Sequence, residues 1–196
     1  MARRFGAEGH PIGLIARNRG RLDGLARELG GDGLDVRSAT ADIREPDGLA
    51  RAIGEFGEAE VLCFSPLPDV SLIKPVADTT AAELAAALEL NVVGAAAAVQ
   101  AVLPGMRARG RGTLLFTTGG AAVAPSHERA VSGVVYGAEV VYARMLHEAL
   151  APEGIHVAVA TIVGAVGPGK AHEPAAVAEE LWQCHERRGE AQVVLR

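Results

Sequence analysis

The sequence is poor in the residues that most often announce a chemistry. Of its 196 residues only Cys63 and Cys184 are cysteines. Two isolated thiols give no disulfide framework and fit a reducing compartment, so a cytoplasmic location is expected. Lysine is nearly absent, with Lys74 and Lys170 alone. The formal net charge is −5 and no basic block occurs, which argues against nucleic acid or an anionic membrane as partner. The longest uncharged run, Leu90 to Met106, contains Asn91, Gly94, Gln100 and Pro104. It falls short of the ~20 apolar residues a span needs, so no membrane partner is expected. No signal-peptide pattern opens the chain. The histidines offer no metal set: His147 and His156 lack a nearby partner along the chain, and Cys184-His185 is an isolated pair.

What is present is a globular composition, 49% hydrophobic and 22% charged, in a length that fits one domain over residues 1–196. Residues 1–8 read as the end of a helix, with Gly9 beyond it. Strands are expected at 11–16, 34–39, 61–64, 112–118, 154–161 and 192–195. Between them the apolar spacing is helical: Leu22, Leu25, Ala26 and Leu29; then Leu49, Ile53 and Phe56 after Pro46; then 132–151 and 174–188. Residues 65–78 read as a loop. Thr80 and Glu83 form a capping box for a long alanine-rich helix reaching about residue 107. Regular alternation of strands and helices predicts an α/β fold, with a mostly parallel sheet between helix layers.

The most informative stretch is GTLLFTTGGAAV, residues 112–123. Leu114, Leu115 and Phe116 predict a buried strand, and Thr117, Thr118, Gly119 and Gly120 predict a tight polar turn at its end. In open α/β sheets ligands bind at the carboxyl ends of the strands. Cys63, inside a strand, is expected to be buried packing.

Together these segments resemble the short-chain dehydrogenase/reductase family over nearly the whole chain. The resemblance rests on LIARN at 14–18, ADI at 41–43, LNVVG at 90–94, the strand GTLLFTTGG, and EALAPEGIHVAVA at 148–160. The last is similar to the family's ELAPxGIRVNAV. It implies a Rossmann-type three-layer α/β/α sandwich and an oxidoreductase that uses a nicotinamide cofactor on a small carbonyl or alcohol substrate. It also implies a homodimer or homotetramer built on the two long helices. The family's opening strand and its TGxxxGxG turn, which hold the cofactor diphosphate, have no counterpart here. Two explanations are expected: either the reading frame starts too late and the sheet lacks its first strand, or the strand at 9–16 packs directly against 61–64.

The family's catalysis uses a tyrosine acid/base, a lysine that lowers its pKa, a serine and an asparagine. Counting back from the ALAPEG passage puts the tyrosine position on Ser132 and the lysine position on Tyr136. Counting forward from Gly112 puts the serine position on Gly119, with Thr118 beside it. If Tyr136 is matched to the tyrosine instead, the lysine position is Val140, so no lysine is found either way. Asn91 matches the asparagine. The catalytic candidates are therefore Asn91, Thr118, Ser132 and Tyr136.

On the cofactor side the resemblance implies Arg17 and Asn18 after the first strand, and Asp42 and Ile43 at the adenine edge. An arginine where the family carries an acid suits a 2′-phosphate, so NADP is expected over NAD. Ser65 lies where the family has its NNAG turn, here Phe64-Ser65-Pro66-Leu67. Gly164 opens a GxxGxG run with Gly167 and Gly169, on the loop after the 154–161 strand; plain loop flexibility is the competing reading. A catalytically inactive relative, serving as a nucleotide-binding or protein-interaction module, is the alternative function.

Overall fold

A computed structural model of the chain describes residues 1–67 and 69–196. Position 68, within the loop read at 65–78, lies outside the described residues. The chain runs α1 (Ala2–Ala7), β1 (Ile12–Ala16), α2 (Arg19–Gly31), β2 (Val36–Thr40), α3 (Pro46–Gly54) and β3 (Val61–Phe64). It continues with α4 (Ala81–Leu88), α5 (Gly94–Arg109), β4 (Gly112–Gly119), α6 (Ala130–Leu150), β5 (Ile155–Ile162), α7 (Pro174–Arg187) and β6 (Gln192–Leu195).

The middle of the sheet explains the three layers. β4 and β5 pair in parallel over eight residues, Gly112 opposite Ile155 through Gly119 opposite Ile162. Successive side chains point to opposite faces. Leu114, Phe116, Val157 and Val159 pack on one face with Leu49 and Ile53 of α3, Val99 and Met106 of α5, and Val140 and Ala143 of α6. Leu115, Ala158 and Ala160 pack on the other with Phe5 of α1 and Val177, Leu181 and Trp182 of α7. Each fully buried large aliphatic or aromatic side chain contributes about 1.5–3 kcal/mol. Arg4 of α1 lies over the Trp182 ring at 4.5 Å and ion-pairs Glu179 at 2.6 Å, tying α1 to α7.

The Rossmann-type reading holds, with a break at its centre. β1 pairs only with β2, and β3 heads a separate run, β3-β4-β5-β6, all parallel. Direct pairing of residues 9–16 with 61–64 is therefore not what the chain does. Ile12 donates its amide to Asp35, and Ala41 donates to the Ala16 carbonyl, while Thr113 donates to the Glu60 carbonyl. Alternation along a parallel strand then turns the backbone groups of Gly13 and Ile15, and of Val61 and Cys63, toward the break. The expectation for Cys63 is also corrected. Its side chain is exposed, although desolvation by its surroundings pushes the thiol up to about 12.

The long helix is not continuous either. A π-bulge at Glu89–Val93 separates α4 from α5, and Asn91 sits inside it. Single π-bulges in α-helices are often found at functional sites. The Thr80–Glu83 capping box is formed as expected, and Lys74 ion-pairs the same Glu83. Taken through the bulge, Ala81–Arg109 is long and apolar enough to cross a membrane by length and composition, which the count of uncharged residues alone did not suggest. In this fold it packs on α3, β3 and β4. α6 starts at Ala130, two residues earlier than its spacing predicted, because a 3-10 turn at His127–Arg129 leads into it. The histidines read as partnerless do have neighbours. His147 and His156 meet edge to face at 5.7 Å, and His185 packs among Phe5, His10 and Trp182.

Two readouts test the break. The amides of Gly13, Ile15, Val61 and Cys63 should exchange with solvent far faster than those of β4 and β5, measured by hydrogen exchange with residue resolution. Cys63 should react only slowly with a thiol reagent in the native protein, because desolvation pushes its thiol up to about 12, whereas buried Cys184 should react only on unfolding. Equal protection along β1 and β4 would contradict the arrangement.

Candidate active site

A cleft of about 240 Å³ opens beside the carboxyl ends of the strands. Asn91, Ser132 and Tyr136 line it, with Arg17 and Arg44 and with Asp69 from the loop after β3. Three of the four catalytic candidates are thus brought together. α6 supplies Ser132 and Tyr136 one turn apart, and the π-bulge supplies Asn91. Thr118 is not on the cleft. Its hydroxyl is buried 3.0 Å from that of Thr161, joining β4 to β5 at their ends.

The position the resemblance assigns to the serine is filled by the tyrosine ring. A Cβ built on Gly119 would stand 2.9 Å from Cε2 of Tyr136. Serine at 119 and tyrosine at 136 therefore compete for one space. Gly119 and Tyr136 fit one another: an aromatic ring lies where a hydroxymethyl group would stand.

Asn91 is 4% exposed, and its Nδ2 donates to Oε2 of Glu139 at 3.2 Å. Glu139 is wholly buried, and among the described residues its Oε1 has no hydrogen-bond partner. Burial pushes its carboxyl up to about 7, against the opposing hydrogen bond from Asn91. Burial also raises the Tyr136 phenol, and Glu139 raises it further, while Arg129 acts the other way. The phenol is therefore held neutral rather than activated. Glu139 was missed in the sequence. Its signal was a lone acid in the buried stripe Ser132, Val135, Glu139, Ala143, which recurs at helical spacing.

The cofactor candidates separate into two groups. Arg17 and Arg44 line the cleft mouth. Asp42 accepts from the Arg44 backbone at 3.0 Å and from its guanidinium at 2.8 Å, and the Arg44 hydrogen bonds hold its carboxyl down to about 2. Ile43 packs against the main core. Asn18 caps α2, its Oδ1 accepting from the Arg21 amide at 2.9 Å. The Ser65 and Thr117 hydroxyls meet at 2.6 Å, joining the ends of β3 and β4. Gly164 lies on an exposed loop at φ +120° and is not among the residues lining the cleft.

Cleft, strand order and bulged helix together define the class. The family model for short chain dehydrogenases matches residues 1–172, and the chain belongs to that family. Two 3-dehydrosphinganine reductases of Arabidopsis thaliana are similar. One is 27% identical over 110 residues, covering 56% of this chain and 33% of that protein. The other is 30% identical over 114 residues, covering 57% and 34%. Subunit BbsC of the (2S)-[(R)-hydroxy(phenyl)methyl]succinyl-CoA dehydrogenase of Thauera aromatica is 29% identical, covering 59% and 47%. The chain thus spans a third to a half of the length of the curated relatives it matches.

Among solved structures, a short-chain dehydrogenase from Rhodopseudomonas palustris superposes with a TM-score of 0.87 at 23% identity, covering 100% of this chain and 90% of that one. L-sorbose reductase from Gluconobacter frateurii, complexed with NADPH and L-sorbose, gives 0.78 at 25% identity, covering 85% and 64%. NAD+-bound xylitol dehydrogenase gives 0.79 at 22%, covering 97% and 81%. Nicotinamide cofactors of both kinds therefore occur among the neighbours.

Two variants test this geometry. Gly119→Ser should cost about 1–3 kcal/mol by overpacking against the ring. Most of that loss should disappear in the double variant with Tyr136→Lys, as read by a denaturant double-mutant cycle. For Glu139, folding raises the carboxyl from 4.5 to about 7. Below pH 4.5 both states hold the proton and the group has no effect. As pH rises to 7 the unfolded chain ionises first, so stability falls by about 3 kcal/mol. Glu139→Gln should remove that part of the decline between pH 4.5 and 7, measured by chemical denaturation across that range.

Proposed function

We propose that this chain is an NADP-linked oxidoreductase domain acting on a small carbonyl or alcohol, with Tyr136 as its acid–base group. The observation that carries the reading is the cleft itself. It joins Asn91, Ser132 and Tyr136 to two arginines in a member of the short-chain dehydrogenase family. Ser132 occupies the position of the family tyrosine and would orient the substrate oxygen. Tyr136, one turn along, would give up or take the proton. The neighbour bound to NADPH and L-sorbose supports the choice of substrate class.

The residues present fit one end of a nicotinamide dinucleotide. Arg17 and Arg44 would hold a 2′-phosphate, with Asp42 and Ile43 beside the adenine. The diphosphate end finds no match among the described residues. The turn after β1 is Arg17-Asn18 rather than a glycine-rich run, and the side chain of Asn18 already takes an amide of α2. When bound, such a cofactor supplies the hydride; the protein residues position the substrate and move the proton.

A second reading is favoured by the Gly119–Tyr136 exchange, which leaves the lysine and serine positions without their usual groups. In that reading the chain binds a nucleotide or a protein partner without turnover. A titration with NADPH, followed by nicotinamide fluorescence, separates the two from an empty scaffold. Saturation below millimolar cofactor, weakened about tenfold or more by Arg17→Glu and far less for NADH, supports the NADP reading. Saturation without turnover of any small carbonyl supports the second reading, and no saturation at millimolar cofactor removes the NADP reading and the nucleotide-binding form of the second for this chain.

The homodimer reading draws support from a stripe on α6. Val134, Val141 and Met145 are exposed at 48%, 56% and 63% and share one helical face, with Val93 exposed on the bulge. Light scattering should give a dimer or tetramer, and Val141→Glu should shift it toward monomer. A monomeric wild-type protein would contradict this.

A further inference from the structure

We propose that the cleft selects an apolar ketone or secondary alcohol and discriminates against polyhydroxylated sugars. Leu72, Ile73, Leu90, Val131 and Val135 are its specificity-determining residues. The inference rests on the reading of the cleft as the site of a small carbonyl or alcohol, and deepens it by naming the substrate class.

The walls carry the assignment. Val131 and Val135 stand one turn apart on α6, each directly before one of the two hydroxyl residues, Ser132 and Tyr136. All four line the cleft, so apolar surface borders the position where a carbonyl would react. Ala87 of α4, Leu90 of the bulge, and Leu72 and Ile73 of the loop after β3 extend that surface. Ala87, Val131 and Val135 form a buried cluster of their own, with Leu72, Leu84 and Leu88 packed on it. The cluster contains no strand residue. It packs α4 and the loop against α6, and the cleft opens at its margin.

The polar side chains of the cleft are mostly engaged within the protein. Arg44 meets the Asp42 carboxylate through Nε at 3.2 Å and Nη2 at 2.8 Å. Asp69 accepts from the Ser71 amide at 3.0 Å and from its hydroxyl at 2.6 Å. Asn91 donates its Nδ2 to Glu139 at 3.2 Å. Arg17 stands at the cleft mouth, the end that suits the cofactor phosphate. Ser132 and Tyr136 then remain for the substrate. Two hydroxyls match the two lone pairs of one carbonyl oxygen, or the oxygen of one secondary alcohol. Any further hydroxyl of a bound sugar would lie against valine, leucine or isoleucine. A buried hydroxyl without a partner weakens binding about tenfold or more, and a ketose carries several. An apolar ketone instead gains with each carbon it buries.

The test uses the protein alone, with acetophenone and L-sorbose as probes, the latter being the sugar bound in one structural neighbour. Protein labelled with 13C at leucine, isoleucine and valine methyls is titrated with each probe by NMR to millimolar concentration. Acetophenone should shift the methyls of Leu72, Ile73, Leu90, Val131 and Val135 saturably. The exposed Val141 methyls, on the outer face of α6, should stay in place. L-sorbose should shift none of them over the same range. Ile73→Asp, on the loop and outside the buried cluster, should weaken acetophenone binding about tenfold or more. The proposal is overturned if L-sorbose shifts the cleft methyls at an equal or lower concentration, or if acetophenone moves only Val141. It is equally overturned by an Ile73→Asp midpoint equal to the wild type, or by binding of neither probe. The wild-type titrations are sufficient for this even where the variant fails to fold. Acetophenone binding without NADPH binding would overturn the cofactor reading and leave the substrate class standing; NADPH binding without acetophenone binding would do the reverse. With turnover in hand, kcat/KM for acetophenone should exceed that for L-sorbose about a hundredfold or more, and Ile73→Asp should narrow the ratio mainly through KM. A higher kcat/KM for L-sorbose would overturn the assignment.

Discussion

The pairing of β4 with β5 holds the rest of the molecule in place. It is eight residues long, in register, and buried along almost its whole length. Of the helices that shape the cleft, α6 packs directly on it, and α4 with its bulge leans on α6; α5 lies on the same face, and α1 and α7 cover the other. Its entry depends on a close approach. Gly154, at φ +75°, sits where an added Cβ would come within 2.2 Å of the Gly110 carbonyl oxygen. The left-handed turn into β5 and the end of α5 therefore share a space that only glycine leaves open. At the exit the Thr118–Thr161 hydrogen bond closes the two strand ends.

The break between β1 and β3 is tolerated because the buried pairing is concentrated elsewhere. β1 and β2 form a small unit anchored by α2 and α3, while the four-stranded run contains most of the fully buried side chains. The consequence for function is local. The arginine side of the cleft and the α6 side are attached to different sheets, and they face each other across the carboxyl ends.

Within the cleft, packing and electrostatics have to be considered together. The Tyr136 ring takes the volume over Gly119, so the position cannot also carry a serine. The same tyrosine lies one turn before a wholly buried acid on α6. Asn91, on the π-bulge, turns its side chain toward Glu139. Burial and that carboxyl raise the Tyr136 phenol, with Arg129 opposing them.

Much of this was legible in the residues. Alternating apolar runs, the Thr80–Glu83 box and the ALAPEG passage were enough to give the α/β layers and the family, because periodicity and local turn chemistry are carried by near neighbours in the chain. Other features depend on contacts between distant segments, which periodicity does not record. Thr118 was a strand-end hydroxyl in the sequence, and only the register with β5 turned it toward Thr161. Cys63 looked like buried packing in a strand, and only the packed chain leaves its side chain exposed. The ring of Tyr136 over Gly119, and the carboxyl of Glu139 under Asn91, join residues 17 and 48 positions apart. By itself the sequence determined which elements form and which family they make. The tertiary structure decided which side chains share a space and which lose their water, because burial and close approach are properties of the packed chain and not of any one segment.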